Sequence, residues 1–375
     1  MSKFCSIELL YAFILLIGSF TFGFIISYPS PALQDIKKLM TISSFEETMF
    51  NAISALFAIF GSLSATFFIS LAGKKITVFV TAILGVISWI ILPFVTLLHI
   101  WAGIADRALL GIIMGSFSVV IPLCINELAP FEYSGIYGSL SQFGISVGCS
   151  ACYFISAGLN WRGLTYFETA LCILLCALVW IIPLQKNVQQ INNDASKKES
   201  IFQRKYAKNL CIGIGCMFFQ QFSGINGILT NLNNLFTAAG IPLSTSIASG
   251  ISSSAQVIAV IIGGIMIQIL GRRFVWIFST IGSAVALLLY GLTIKFPNWP
   301  SIISIVAIFL FLLCFGVGLG PIPWFIVPEL FTGSVKSAAT SIATAANWLL
   351  AFVVILGFPY LKAAITDFFA MIFFM

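Results

Sequence analysis

Long apolar runs, separated by short polar punctuation, repeat along the chain from Leu9 onward. They fall near 9–28, 48–70, 76–98, 102–124, 134–157, 163–183, 208–237, 247–269, 274–294, 301–327 and 338–358. A helix crossing the hydrocarbon needs about 20 apolar residues, and each run reaches that length. A twelfth run begins near Asp367 and has nine residues to Met375, which predicts an incomplete span of roughly 14 Å. The runs are continuously apolar rather than alternating, so they predict helices and exclude a β-barrel. The first run is followed by the loop-like SYPSPALQD with no small-residue cleavage pattern, and reads as a retained helix rather than a signal peptide.

Composition agrees. Of 375 residues, 60% are hydrophobic and 8% charged, which no ordinary soluble domain shows. With the N-terminus in the cytoplasm, twelve of the 18 lysines and arginines fall on the inner side, as the positive-inside rule requires. The net charge of +6 is then topology, and calls for a lipid bilayer but no nucleic-acid partner. A multi-pass protein of the plasma membrane, monomeric as a working unit, is expected. Eight of the nine cysteines lie inside the runs, so they predict no disulfide framework. No cluster has metal-ligand spacing, no glycine-rich phosphate loop follows a strand, and no nucleophile, base and orienter stand together. No cofactor and no enzymatic activity are expected.

One long hydrophilic segment, residues 185–208, divides the chain into an N-terminal six-helix bundle over 1–184 and a C-terminal bundle over 209–375. It reads as a cytoplasmic basic linker. The halves echo one another. Gly73-Lys74-Lys75 returns as Gly271-Arg272-Arg273, 198 positions on, and NELAPFEYSG around Glu127 returns as PELFTGSVKS around Glu329, 202 positions on. An all-α polytopic membrane protein is expected, with two six-helix bundles related by a pseudo-two-fold axis and the twelfth helix truncated.

Run seven holds the chemistry: FFQQFSGINGILTNLNN, Phe218 to Asn234, sets amides in oil. An uncharged polyol needs both donors and acceptors in a dry cavity, and one amide supplies both without the desolvation cost of a charge. Ser223, Asn226, Thr230 and Asn233 share one helical face, while Gln220 and Gln221 lie off it. Gly224 and Gly227 predict a break that turns both sets to one cavity. The competing reading is that the amides only bond neighbouring helices. In other runs Ser139, Gln142 and Ser146 share a face, Gln256 adds an amide, and the rings of Phe315 and Trp324 suit the apolar face of a pyranose.

Gly73-Lys74-Lys75, Arg107, Glu127 with Gly135, QQFSGIN over 220–226, Gly271-Arg272-Arg273, GPIPW over 320–324, Glu329 and Asn347-Trp348 together carry a resemblance. From about residue 9 to its end, the chain resembles the major facilitator superfamily, and within it the sugar porters that carry hexoses and trehalose. The resemblance implies sugar-hydroxyl ligands at Gln142, Gln220, Gln221, Asn226 and Asn347, and at Gln256 in place of the usual Asn. It implies a substrate-contacting Trp324, a wall at Trp348 and a lining aromatic at Phe22. It also implies an inner gate of ion pairs among Lys74, Lys75, Glu127, Arg272, Arg273, Glu329 and Lys336.

The chain departs from that pattern. Ser70 and Gln268 replace acidic residues before the basic doublets, Ser134 replaces an Arg, and Thr230-Asn231 replaces an aromatic outer-gate pair. Each change removes a charge pair or a ring closure, so a larger inward-open population is expected. Ile25 stands where the family's proton symporters hold an Asp. A facilitative hexose carrier working by alternating access is therefore expected. Its alternatives are a proton-coupled symporter using Glu168, a carboxylate otherwise expected to be paired or to face water, with Arg162 six positions earlier, and a transport-inactive sugar receptor or degenerate copy. Asp106 is expected to neutralise Arg107.

Overall fold

In the computed structural model, ten helical segments are long and apolar enough to cross a membrane. It describes residues 6–129, 134–184, 201, 203–240, 243–296, 298–331 and 335–374. The eleventh expected crossing, the fifth span, is the 23-residue helix Ser134–Ser156. Its length suffices, but serines, glycines and Gln142 lower its hydropathy. It packs between the first span, Ser6–Ser27, and the eighth, Thr245–Leu270, so its polar groups meet protein rather than lipid. Ser19 and Ser141 hydroxyls bond at 3.0 Å, and Ser150 donates to the Gly250 carbonyl at 3.2 Å.

The second span, Ser44–Ala72, starts four residues before its apolar run because Ser43 forms a capping box with Glu46. The third, fourth, sixth and ninth spans are Lys74–Leu98, Ile100–Leu128, Trp161–Leu178 and Arg272–Lys295. Residues 185–200 and 202 of the expected linker lie outside the described residues. Its last five residues already belong to the seventh span, whose helix starts at Arg204. The sequence echo has a backbone counterpart. Gly73 and Gly271 close the second and eighth spans at φ 87° and 81°, a region that glycine enters without a Cβ penalty, and each N–H donates to the carbonyl four residues back.

The two largest apolar cores each borrow from the other half. Trp348, Ala351 and Ile355 of the eleventh span enter the first core, while Cys149 and Tyr153 of the fifth enter the second. Large apolar side chains such as Phe67, Leu71 and Ile269 point outward at 62%, 66% and 74% exposure, as a lipid-facing surface requires.

Two expectations change here. The short twelfth span does not start afresh at Asp367: helical backbone is continuous from Val335 through Phe373, so the return begins before that residue. The rings of Phe358 and Phe374 lie 5.8 Å apart, where a straight helix would separate them by about 24 Å, so the chain doubles back within this segment. Nor, among the described residues, does Asp106 make a direct ion pair with Arg107, although the two opposite charges lie close enough to favour each other. Adjacent residues diverge by about 100° around a helix, and Asp106 instead accepts from Ser88 at 2.9 Å. The fully buried Arg107 pins three spans, donating to the Ile25 carbonyl at 3.0 Å, Ser54 Oγ at 3.0 Å and the Phe50 carbonyl at 3.3 Å.

Candidate functional site

Two interrupted helices build the site. The seventh span runs from Arg204 to Phe222, breaks at Gly224, where φ is 79°, and resumes as the short helix Ile225–Thr230. The break at Gly224 is the expected one. Gly227 takes no part in it; it lies within the short helix, and a Cβ there would meet the Phe358 ring at 3.0 Å. The break turns Gln220, Gln221 and Asn226 toward one cavity. The expected stripe does not hold together, because Ser223 and Thr230 donate to their own helix carbonyls and Asn233 turns away to the far end of the molecule.

The tenth span contains a π-helical turn, Phe315–Leu319, between the helices Ile302–Cys314 and Ile322–Glu329. Such a turn releases backbone groups from the ordinary ladder, and side chains take them up. Gln220 Nε2 donates to the Gly320 carbonyl at 2.5 Å. Ser279 of the ninth span accepts from Leu319 N at 2.7 Å and donates to the Cys314 carbonyl at 2.6 Å. Sequence reading missed Ser279; the signal was the glycine spacing of FGVGLG next to two prolines. Ser279→Ala is expected to leave Leu319 N unpaired, at a cost of about 1–3 kcal/mol, and to lower the Tm in detergent by several degrees.

The cavity holds about 50 Å³ and is lined by all ten residues expected at the site: Phe22, Gln142, Gln220, Gln221, Asn226, Gln256, Phe315, Trp324, Asn347 and Trp348. Ile26, Ile145, Cys149, Ile225 and Leu229 complete the lining, and no charged group contributes. The amides form a chain. Asn226 Nδ2 donates to Gln221 Oε1 at 2.6 Å, Gln221 Nε2 to Asn347 Oδ1 at 2.9 Å, and Asn347 Nδ2 to Gln220 Oε1 at 2.8 Å. Four side chains from two spans therefore satisfy one another. The Trp348 ring lies 5.4 Å from that of Phe22, and its Nε1 donates to Ser118 Oγ at 3.3 Å. An indole so fixed presents a rigid wall.

Trp324 separates this cavity from a vestibule of about 500 Å³ at the end carrying the basic doublets. Asn126, Ser139, Gln268, Phe325 and Lys336 line the vestibule, with Arg272 and Glu329. The gate residues do not pair across the halves as expected. Lys74 binds Glu127 at 2.5 Å within the first half, and Arg272 engages Glu329 through both guanidinium nitrogens within the second. Lys75 donates to the Trp180 carbonyl, and neither Arg273 nor Lys336 makes an ion pair among the described residues. Each carboxylate is within reach of a basic residue of its own half, while towards this end the Thr66 and Ser341 hydroxyls join the second and eleventh spans across the halves at 2.6 Å.

Glu168 also departs from expectation. It is fully buried, and neither carboxylate oxygen has a hydrogen-bond partner among the described residues. Arg162, six residues earlier, lies over the Trp161 ring at 5.5 Å instead of pairing with it.

Known proteins place this geometry. The family model described as "Sugar (and other) transporter" matches residues 11–204 and again 184–375. A facilitated trehalose transporter, Tret1, of Polypedilum vanderplanki is 27% identical over 96% of this chain and 80% of its own length. Sugar transporter ERD6-like 6 of Arabidopsis thaliana is 26% identical over 91% of this chain and 79% of its own. Among solved structures, a partially occluded inward-open form of the xylose transporter XylE from E. coli superposes with a TM-score of 0.83 at 19% identity, covering 98% of this chain and 94% of that one. A D-xylose–proton symporter superposes at 0.80, also at 19% identity, covering 97% and 94%. With both halves matching one family model and the whole chain adopting the major facilitator fold, the protein belongs to the sugar transporter family.

Proposed function

We propose that this protein moves an uncharged sugar of hexose size across a membrane by facilitated diffusion, exposing the central cavity to each side in turn. The observation that carries the reading is the amide chain from Asn226 through Gln221 and Asn347 to Gln220, in a cavity lined by no charge. Amides that satisfy one another in the empty cavity exchange those bonds for sugar hydroxyls without exposing a buried charge, so binding and release stay nearly balanced. Phe315, Trp324 and Trp348 offer ring faces to the apolar side of the sugar. A cavity of about 50 Å³ is well below the roughly 300 Å³ of a small-ligand site, so the halves must separate slightly to admit substrate. The basic end is taken as cytoplasmic, which makes the present state inward-facing, with the N-terminus inside and the plasma membrane as its location. Residues 1–184 and 209–375 act as the two rocking bodies.

Radiolabelled hexose uptake into proteoliposomes tests this reading. Uptake to equilibrium, not beyond it, is expected with or without a pH gradient. A second reading is favoured by Glu168, a fully buried carboxylate with no ion-pair or geometric hydrogen-bond partner among the described residues, which makes it the candidate proton carrier. Under facilitated diffusion, Glu168→Gln leaves uptake and its pH dependence unchanged. Accumulation above equilibrium that an acidic outside drives and Glu168→Gln abolishes would replace the first reading with proton symport.

A further inference from the structure

We propose, on the reading that the amide-lined cavity is the sugar site, that Met217 is a positioning residue behind its wall. Met217 and two carbonyls of the tenth span use up every amide hydrogen of Asn347 and Gln220, so this part of the site meets a sugar hydroxyl only as an acceptor.

The order starts in GPIPW. In a helix the Leu319 carbonyl would accept from the N–H of residue 323, but that residue is proline and has none. The Gly320 carbonyl would accept from Trp324 N, which turns instead to the Pro321 carbonyl at 3.2 Å. Gln220 Nε2 donates to both, at 2.5 Å to Gly320 O and 3.4 Å to Leu319 O. A carbonyl cannot donate, so the Gln220 amide has one possible orientation, with its nitrogen toward the tenth span and Oε1 toward Asn347. Asn347 must then donate to Gln220, at 2.8 Å, and accept from Gln221, at 2.9 Å. Gln221 in turn must accept from Asn226, at 2.6 Å. Two backbone carbonyls thus orient all four amides.

Met217 completes the pattern. It lies one turn before Gln220 and Gln221 on the seventh span, is 1% exposed, and packs with Val327 and Ala343 against Trp324. Its Sδ accepts the second hydrogen of Asn347 Nδ2 at 3.3 Å. A thioether accepts weakly and donates nothing, so it holds this N–H and cannot reverse the amide. Gln220 and Asn347 are left with no N–H to offer, while each of their oxygens keeps a lone pair. Gln221 and Asn226 each keep one N–H. The site is therefore graded, and a hydroxyl seated against Gln220 and Asn347 must donate its hydrogen.

Fluorine tests this, because a C–F group accepts weakly and cannot donate. Binding to the purified protein is followed by quenching of tryptophan fluorescence, Trp324 and Trp348 being in the cavity wall; this needs no flux. D-glucose is compared with its monodeoxy and matching deoxyfluoro analogues. In the wild type, at the position facing Gln220 and Asn347, the deoxy and fluoro forms should be equally weakened. Met217→Leu nearly conserves volume and frees one Asn347 N–H. At that same position the fluoro form should then bind roughly two- to fivefold better than the deoxy form, the low end of an ordinary hydrogen bond. Met217→Gln, whose side-chain carbonyl accepts again, should return the two forms to parity. A packing role would weaken all analogues together, so ratios unmoved by Met217→Leu would overturn the role of Met217. A fluoro form that outbinds its deoxy partner at every position of the wild type would overturn the acceptor-only end, whether or not the variants fold. If D-glucose, D-galactose and D-mannose all fail to bind, the sugar reading itself falls, a result distinct from unmoved ratios.

Discussion

Gln221→Ala is expected to lower kcat/KM for hexose uptake by roughly 30- to 1000-fold. Gln221 accepts from Asn226 and donates to Asn347, so its removal strips two bonds from a buried chain and leaves two amides with one partner fewer. At about 1–2 kcal/mol for each buried group left unpaired, the loss is about 2–4 kcal/mol, and at 1.4 kcal/mol per decade this gives the stated range. The deficit arises twice, once in the lost sugar contact and once in the collapse of the pre-positioned neighbours. Initial-rate uptake into proteoliposomes across a range of hexose concentrations measures it. If uptake occurs and Gln221→Ala leaves it unchanged, the amide chain is only a helix-to-helix tie and the site lies elsewhere.

How far the sequence reached depended on whether a property was local. The amides of Gln220, Gln221 and Asn226 stood out because polar groups inside an apolar run are costly, and the helix break at Gly224 followed from a glycine among them. Gly73-Lys74-Lys75 and Gly271-Arg272-Arg273 were legible as a repeat, though not the left-handed turn that each glycine makes. What sequence could not give were relations across the fold. Ser223 and Thr230 were expected to share a helical face with Asn226, yet their hydroxyls donate to nearby carbonyls, those of Gln220 and Asn226, instead of entering the cavity. Arg107 and Asp106 are neighbours in sequence but diverge in space, and the arginine finds carbonyls on two other spans. The ion pairs at the basic end form inside each half, Lys74 with Glu127 and Arg272 with Glu329, and which carboxylate meets which cation is set by how the spans pack, not by the motifs themselves. Ser279 escaped notice because serine is common in membrane helices, and its value lies in the π turn of another span.

Gly224→Val is expected to lower sugar uptake at least tenfold while the protein still inserts and folds. At φ 79° the residue sits in a left-handed conformation that costs an L-residue about 1–2 kcal/mol, and a β-branched one more. Space forbids it as well, since a Cβ at this position would lie 2.9 Å from the Phe374 ring. The chain has one route to relieve both, which is to let the helix run on through residue 224. Continuous helix would restore the spacing read from the sequence, with Asn226 on a face that Gln220 and Gln221 do not share. The bond from Asn226 to Gln221, now 2.6 Å, could not then form, and the cavity would lose an amide. Strain held in place and strain relieved therefore lead to the same functional loss by different paths, and stability separates them. A variant with lowered Tm and residual uptake has kept the break under strain; one with unchanged Tm and no uptake has straightened. Gly224→Ala, with the same φ penalty but less bulk, should fall between Gly224→Val and wild type in uptake. If Gly224→Val transports at the wild-type rate, the break is not what aims the amides, and the assignment of Gln220, Gln221 and Asn226 to one sugar site fails with it.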